Sequence, residues 1–318
     1  MPSEFELIRK YFTRPTSHTR VGVGDDCALL QVGAGMELAV STDMLVSGTH
    51  FFPDADPLQL GHKVLAVNLS DIAAMGAMPR WATLAAALPE ADEPWIAAFA
   101  RGLFAVAERY GVDLIGGDTT RGPLNLCVQI IGEVPVGAAL MRSGAHPGDD
   151  VWVSGELGDA ALALGHLRSR VRLDEQALLL CLARLNTPTP RVELGMALRG
   201  TATSCIDVSD GLLQDLGHIL EMSEVGAELR AADLPRSAAT ANCMDRALAD
   251  ECVLSGGDDY ELCFTAHPMH RSVVEALIRR LGVRLTRIGK IVGQPGLRLL
   301  DQHGTEIPIT KTGFDHFA

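Results

Sequence analysis

The first half of the chain alternates apolar and polar positions in two different periods. Residues 36–43 alternate at every second position, which predicts a strand. Residues 57–75 carry apolar stripes at helical spacing, and Asp56 is placed to cap that helix. A second helix is predicted between Asp92, as its cap, and Gly111, as its end. Strands and helices that alternate in this way predict one α/β unit.

The second half repeats the alternation after a stretch rich in glycine and proline at residues 135–147. A helix is expected from Ser209, as its cap, through Leu220. Residues 251–265 indicate a strand, a glycine turn and a second strand. The aspartates 149 and 150 follow a proline and a glycine, so we expect them in a solvated turn.

Length and composition fit two globular domains. The chain has 318 residues, more than one typical domain, and 47% of them are hydrophobic, which is enough for two cores. We place the domains at residues 1–136 and 137–318, with the boundary at the glycine- and proline-rich stretch.

The charge excludes one class of partner. The formal net charge is -13, so the chain lacks the basic surface that binding along a nucleic-acid backbone requires. Phosphate-bearing small molecules are not excluded, because divalent cations can hold phosphates at an acidic site.

Cysteine usage and the first residues favour the cytoplasm. The seven cysteines are odd in number, scattered and without a C-x-x-C pair, which is typical of reduced thiols. The N-terminal residues lack the pattern of a signal peptide, and no stretch is apolar enough to cross a bilayer. We therefore expect a cytoplasmic protein without a membrane partner.

Acidic residues recur beside small or hydroxyl residues where strands are predicted to end. The segments are 24–26, 41–43, 117–120, 207–211 and 255–259, and Asp71 adds a carboxylate from a helix. One such segment is ordinary turn chemistry, but carboxylates from several segments repel each other unless cations neutralise them. Oxygen ligands scattered over several loops suit Mg²⁺, completed by phosphates and water.

The common nucleotide-binding signatures are missing. Gly289-Lys290 is followed by Ile291 and lacks the upstream glycine of a P-loop, and no protein-kinase motif is present. An acidic site that holds a nucleotide through metal ions would need none of them.

Six segments form an ordered set along the chain: GVGDDCALL at 22–30, STDMLVSGTHF at 41–51, KVLAVNLSDIAAMGA at 63–77, GGDTTRG at 116–122, IDVSDGL at 206–212 and SGGDDYELCF at 255–264. This set closely resembles the thiamine-monophosphate kinase family, and the resemblance runs from near residue 4 to the tail GFDHF at 313–317. The wider superfamily includes aminoimidazole ribonucleotide synthetase, selenophosphate synthetase and a hydrogenase-maturation protein.

The resemblance implies a fold and an activity. The fold is α/β (α+β), with an N-terminal domain that binds metal and ATP and dimerises through its sheet, and a C-terminal α/β domain. The activity is the Mg²⁺-dependent transfer of the γ-phosphoryl group of ATP, a co-substrate, to thiamine monophosphate, with several magnesium ions and a homodimer.

The resemblance also implies roles for single residues. The magnesium ligands would be Asp26, Ser41, Thr42, Asp43, Asp71, Asp118, Asp207 and Asp210, of which Asp43, Asp71 and Asp210 would serve catalysis. Gly117, Asp118, Arg142 and Ser209 would lie at ATP, and His50, Asp258 and Phe314 at thiamine monophosphate. The family often has Glu where Asp258 stands and Trp or Tyr where Phe314 stands.

The sequence leaves alternatives open. Asp71 could instead form a buried ion pair with Lys63 or Arg80. The chain could be another ATP-using member of the superfamily, which activates an amide or selenide, although residues 2–19 lack the cysteine and the glycine-rich loop expected there. It could also be a non-catalytic nucleotide- or metal-binding regulator.

Overall fold

The computed structural model describes residues 3–314, and the chain divides into two compact units. Unit 1 comprises Met1–Ile72 and Ala77–Gly137, and unit 2 comprises Ala73–Gly76 and Ala138–Ala318. Each unit combines helices with a mixed sheet, as the expected α/β (α+β) class requires. Among the described residues, every helix is too short or too polar to cross a membrane.

Unit 1 is a four-stranded sheet with two long helices. Its elements are α1 (Glu4–Leu7), a π-helical turn (Ile8–Phe12), β1 (Thr19–Val21), β2 (Leu29–Leu30), β3 (Met36–Val46), α2 (Pro57–Ala74), β4 (Met78–Leu88), α3 (Glu93–Tyr110), β5 (Asp113–Arg121) and β6 (Asn125–Pro135). The strand order is β3-β6-β4-β5, with β4 and β5 parallel and the other neighbours antiparallel. β1 and β2 form a separate antiparallel pair.

The predicted start of α2 and the predicted start and end of α3 are confirmed by their capping contacts. The backbone N–H of Leu58 donates to Asp56 Oδ1 at 2.8 Å. The N–H of Trp95 donates to Asp92 Oδ1 at 3.2 Å, and Gly111 ends α3 with a φ of 65°. These side chains satisfy N–H groups that the first helical turn cannot bond internally.

Two glycines let α2 and α3 touch backbone to backbone. A Cβ atom on Gly61 would collide with the carbonyl oxygen of Phe99, and one on Gly102 would collide with that of Leu58. The apolar stripes of α2 are buried in the resulting core, as predicted; Leu65 is 1% exposed. Because α2 is apolar on most of its circumference, a polar residue on it indicates a specific contact or a functional role.

Unit 2 is a seven-stranded sheet with helices. Its elements are β7 (Asp150–Ser154), α4 (Asp159–Leu167), α5 (Glu175–Asn186), α6 (Val192–Leu198), β8 (Ala202–Val208), α7 (Leu212–Ser223), β9 (Gly226–Arg230), a 3-10 turn (Ala231–Asp233), α8 (Ala238–Asn242), α9 (Arg246–Ser255), β10 (Glu261–Ala266), a 3-10 turn (Pro268–His270), α10 (Arg271–Leu281), β11 (Leu285–Val292), β12 (Gly296–Leu300) and β13 (Glu306–Ile307). The strand order is β13-β12-β9-β11-β7-β10-β8, in which only β12 and β9 pair in parallel. The core between α7 and this sheet contains Leu216 and Ile219, both fully buried.

The prediction of a strand at the start of 251–265 is wrong. That stretch begins inside α9, whose first turn is capped by Asp245 because the N–H of Leu248 donates to Asp245 Oδ1 at 3.0 Å. Leu248 and Cys252, four residues apart, both pack into a core of helices. The strand expected later in the same stretch is present as β10.

The expectation of a solvated turn at residues 149 and 150 is also wrong. Asp149 and Asp150 are only 1% and 3% exposed. The hydroxyl of Thr203 donates to Asp149 Oδ2 at 2.7 Å, and Arg271 Nε donates to Asp150 Oδ2 at 2.6 Å. Partners distant in sequence therefore bury both carboxylates, which the local proline–glycine pattern cannot indicate.

A buried carboxyl at the start of α4 predicts a pH-dependent stability. Asp159 is 1% exposed; Ser237 Oγ donates to its Oδ1 at 2.5 Å, and no described group hydrogen-bonds its Oδ2. Burial raises the pKa of Asp159 above its usual value. The folded chain therefore holds this proton more tightly than the unfolded chain, and it loses stability as pH rises above the unfolded pKa of about 3.9.

We expect Asp159→Asn to remove this loss. As pH rises from about 4 towards neutrality, the native chain should lose free energy of unfolding relative to Asp159→Asn. The reason is that only the native residue must ionise in the core. Urea unfolding at several pH values measures the difference. The exposed Asp54→Asn serves as the control, and equal slopes for the native chain and Asp159→Asn would contradict the prediction.

Candidate functional site

One face of β3 and one face of α2 bring the first predicted ligands together. Ser41 and Asp43 are two residues apart on β3, so both side chains lie on the face that α2 covers. The hydroxyl of Ser41 donates to Asp71 Oδ2 at 2.5 Å, and the backbone N–H of Asp43 donates to Asn68 Oδ1 at 3.2 Å. We call Ser41, Asp43 and Asp71 the unit 1 carboxylate group.

One alternative for Asp71 loses support. Arg80 Nε donates to Glu133 Oε2 at 2.9 Å, so this arginine has a different carboxylate partner. Lys63 is 5% exposed on α2, and a pairing between it and Asp71 stays open. Asp71 itself is half-buried, so part of its carboxylate remains accessible.

The chemistry of the unit 1 carboxylate group fits Mg²⁺. It offers carboxylate and hydroxyl oxygens, the hard donors this ion prefers. Within residues 3–314, no three His, Cys, Asp or Glu side chains lie close enough together to hold a metal ion. Mg²⁺ usually takes one or two protein carboxylates and completes its shell with phosphates and water. The residues therefore fit an ion shared with a phosphate-bearing ligand.

Asp118 does not lie beside this group in the single chain. It pairs with Ala85 on β4, Ala85 pairs with Cys127 on β6, and Cys127 pairs with Met44 on β3. Three strand spacings of about 4.8 Å place Asp118 roughly 14 Å from the position of Met44. It also shares the sheet face of Met44, which is the opposite face from that of Asp43.

Two predicted segments lie inside strands rather than at their ends. Residues 41–43 are central in β3, and Gly117 lies within β5. Gly117 has a φ of 147°, and a Cβ atom there would collide with the backbone of Leu84, so glycine is required. Asp26 lies in the exposed segment between β1 and β2, where its N–H donates to Asp25 Oδ1 at 2.9 Å.

His50 lies in the turn that follows β3. The backbone N–H of Val46 donates to His50 Nδ1 at 3.0 Å. In the neutral ring this bond assigns the proton to Nε2. A half-buried imidazole with a fixed tautomer can donate a hydrogen bond to an anionic ligand.

In unit 2, the loop after β8 carries three more predicted residues. Asp207 is 5% exposed near the end of β8, and Ser209 and Asp210 follow. The backbone N–H groups of Ser209, Asp210 and Gly211 all donate to one oxygen of Asp215, at 3.0, 3.1 and 3.1 Å. Ser209 is therefore not the helix cap that the sequence predicts; α7 begins at Leu212, and the Asp215 carboxylate organises the loop instead.

Asp215 is a residue that the sequence reasoning missed. Burial, and then the charge of Asp210, raise the pKa of Asp215 to about 7, against the three N–H groups that lower it. A signal was available, because Asp215 interrupts the apolar stripe of α7 directly before Leu216. A carboxylate on the buried face of a helix needs specific partners.

The glycine loop before β10 places Asp258 against the same segment. Asp258 and Tyr260 have φ values of 60° and 50°, in the left-handed region. The N–H of Asp258 donates to the carbonyl oxygen of Ser209 at 2.8 Å, and Tyr260 Oη donates to Asp258 Oδ1 at 2.9 Å. Left-handed backbone at two non-glycine residues is costly, which is common at functional sites.

The neighbouring carboxylate has a different environment. Asp259 Oδ1 accepts the N–H of Gly158 at 2.9 Å, and burial raises the pKa of Asp259 well above its usual value. Asp259 therefore stabilises the start of α4, whereas Asp258 lies at the loop after β8.

Phe314 completes the unit 2 arrangement. Its backbone N–H donates to the carbonyl oxygen of Asp210 at 3.1 Å, and it is 47% exposed. Backbone contacts thus join the loop after β8, the glycine loop and the C-terminal segment into one site. We call this the unit 2 loop site: Asp207, Ser209, Asp210, Asp258 and Phe314.

Arg142 is exposed in a segment that runs along β8. Its carbonyl oxygen accepts the hydroxyl of Ser223 at 3.3 Å, and the carbonyl of Met141 accepts the N–H of Cys205 at 2.9 Å. The backbone of this segment is therefore fixed along β8, while Arg142 itself is exposed.

Comparison with known proteins assigns the class. The model for AIR synthase related protein, N-terminal domain, matches residues 24–134, and the model for AIR synthase related protein, C-terminal domain, matches residues 146–302. Together these matches cover more than half of the chain. The two mixed-sheet units and their acidic sites thus define an AIR synthase-related protein.

The nearer relatives identify the family within this class. Thiamine-monophosphate kinase of Salmonella typhimurium is 48% identical over 320 residues, which span 99% of this chain and 98% of that protein. The crystal structure of thiamine-monophosphate kinase from Stenotrophomonas maltophilia K279a is 48% identical, with a TM-score of 0.85 and coverage of 93% and 94%. AaThiL complexed with AMPPCP and TMP is 28% identical, with a TM-score of 0.77 and coverage of 98% and 96%. The chain belongs to the thiamine-monophosphate kinase family.

Proposed function

We propose that this protein transfers the γ-phosphoryl group of ATP to the phosphate of thiamine monophosphate in a Mg²⁺-dependent reaction, giving thiamine diphosphate and ADP. The observation that carries the proposal is the 48% identity to a thiamine-monophosphate kinase along 99% of this chain. A relative in complex with AMPPCP and TMP supports ATP and thiamine monophosphate as the two substrates. The oxygen-rich unit 1 carboxylate group supports the metal dependence.

The proposed chemistry explains why the site is acidic. The nucleophile is a phosphate oxygen, which is already anionic near neutral pH, so no strong general base is needed. The obstacle is repulsion between two polyanions, and bound Mg²⁺ would supply the positive charge that neutralises it. In unit 1, Asp43 and Asp71 would supply carboxylates, and Asp26, Ser41, Thr42 and Asp118 would be further oxygen ligands for the several magnesium ions. In unit 2, Asp207 and Asp210 would supply carboxylates.

The remaining predicted residues would hold the organic substrates. Arg142 can bind phosphate oxygens in a fork, and Gly117 would lie at the nucleotide together with Asp118 and Ser209. Phe314 presents an exposed aromatic ring, which suits a cationic thiazolium. His50 and Asp258 would contact thiamine monophosphate through hydrogen bonds.

A direct assay tests this function. The purified protein is incubated with ATP, Mg²⁺ and thiamine monophosphate, and both ADP and thiamine diphosphate are measured. We expect one ADP for each thiamine diphosphate, no product from free thiamine, and none after chelation of Mg²⁺. ATP consumption without thiamine monophosphate would favour an amide- or selenide-activating enzyme, and no consumption at all would favour a nucleotide-binding regulator.

The outer face of the unit 1 sheet supports a homodimer. Leu38, Val40 and Met44 lie on one face of β3 and are 45%, 54% and 53% exposed. Thr42 lies between them on this face. Apolar side chains in such a row are typical of a surface that a second copy covers. We therefore propose that two copies of the chain form a dimer through this face.

Replacement of one residue in this row should weaken the dimer. We expect Met44→Lys to raise the dimer dissociation constant about tenfold or more, because a lysine buried between two sheets loses its hydration. Light scattering over a range of concentrations measures the mass. Met269→Lys, at a methionine that is 72% exposed in unit 2, is the matched control. A native chain that is monomeric throughout would contradict this part of the proposal.

A further inference from the structure

The side chain of Gln214 connects two parts of the unit 2 loop site. Its Nε2 group donates to Asp210 Oδ2 at 3.3 Å and to the carbonyl oxygen of Phe314 at 3.1 Å. Its backbone N–H donates to the carbonyl oxygen of Thr312 at 3.1 Å. One residue in the first turn of α7 thus contacts both the loop after β8 and the C-terminal segment.

The C-terminal segment approaches Gln214 so closely that a side chain at position 313 would collide with it, and glycine occupies that position. A Cβ atom on Gly313 would lie 2.5 Å from Gln214 Oε1 and 2.8 Å from the carbonyl oxygen of Asp210. The N–H of Phe314 donates to that same carbonyl oxygen at 3.1 Å. The segment is held again at Lys311, whose carbonyl accepts the hydroxyl of Ser255 at 2.7 Å.

We propose that Gln214 is a positioning residue that sets the ring of Phe314 relative to the carboxylate of Asp210. An amide NH₂ has two N–H donors, and here one acceptor lies on each of the two segments. The amide is neutral, so it orients the Asp210 carboxylate without cancelling its charge, whereas a lysine would pair with that charge. The kinetic part of this inference rests on the proposed function, in which Asp210 binds the metal and Phe314 contacts thiamine monophosphate.

The first test needs no activity. Amide hydrogen exchange is measured on the full chain for native protein, Gln214→Met and Gln214→Glu, two variants that keep the size of the side chain but lose the donor. We expect exchange at residues 312–314 to accelerate about tenfold, since the Phe314 N–H loses the support of its neighbour, while exchange at Leu216 stays unchanged. Glu221→Gln, on the exposed side of α7, is the matched control. Unchanged exchange at residues 312–314 in both variants would overturn the proposal, whatever the enzyme does.

The second test separates positioning from a merely structural role. In the thiamine diphosphate assay, both variants should raise KM for thiamine monophosphate about tenfold or more, with KM for ATP altered less than twofold. Faster exchange together with an unchanged KM for thiamine monophosphate would refute the positioning role. A native chain without kinase activity would instead refute the proposed function, and the exchange result would still decide whether Gln214 holds the segment.

Discussion

Asp43→Asn is expected to reduce kcat for thiamine diphosphate formation by about 100-fold or more, the scale on which loss of one charge-stabilising group acts in transition states. The reason is local. The side chain of Asp43 lies on the α2 face of β3, which also carries Ser41, the hydrogen-bond partner of Asp71. The amide form of Asp43 is a poorer ligand for Mg²⁺. Steady-state kinetics over a range of Mg²⁺ concentrations measures the loss and any rise in the Mg²⁺ requirement.

The fold should tolerate this change. The contact between Asp43 and Asn68 uses the backbone N–H, which asparagine retains. Asparagine also keeps the size of the aspartate side chain, so we expect the free energy of unfolding to change by less than about 1 kcal/mol. Glu90→Gln, at an exposed position in unit 1, is the control. Full turnover by Asp43→Asn would refute the metal-binding role of the unit 1 carboxylate group.

Asp215→Ala is expected to lower both stability and activity. It removes the single carboxylate oxygen that accepts the N–H groups of Ser209, Asp210 and Gly211. An unsatisfied buried donor costs on the order of 1–3 kcal/mol. Water can partly replace the carboxylate at the two half-buried donors, Ser209 and Asp210. We therefore expect the free energy of unfolding to fall by about 3 kcal/mol in total. Because the loop that carries Ser209 and Asp210 loses its support, kcat should fall about 100-fold.

The conservative variant separates hydrogen bonding from charge. Asp215→Asn keeps an oxygen acceptor at the same place, so its loss of stability should be smaller than that of Asp215→Ala. Urea unfolding and the kinase assay on both variants give the comparison, with Glu221→Ala on the same helix as the control. Equal stability of the native chain and Asp215→Ala would show that the loop is held by other contacts.

Local patterns predicted the elements whose ends are marked by capping residues. The bounds of α2 and α3 were predicted nearly to the residue, from Asp56 and Asp92 before apolar stripes and from Gly111 after one. The start of α9 was missed because the apolar run that includes Val253 favours a strand, although Asp245 stands at a capping position. The buried stripe of α9 outweighs that local preference.

The candidate residues were less predictable than the elements. The sequence indicated that 41–43 carries ligands, but not that the pleat places Thr42 on the opposite face from Ser41. It gave no indication that Asp118 lies across the sheet from Met44, because strand order depends on contacts distant in sequence. Asp215 and Gln214 were missed for the same reason, since their importance lies in partners that only the folded loops supply.

The order of motifs along the chain was sufficient by itself to indicate the kinase family, the mixed helix and sheet class, and the acidic chemistry, because these depend on residue identity and local spacing. The folded structure decided which carboxylates share a face, which are buried as supports, and how the C-terminal segment meets Asp210. Those outcomes depend on pleat, strand order and left-handed loop backbone, which are set by packing between residues far apart in sequence.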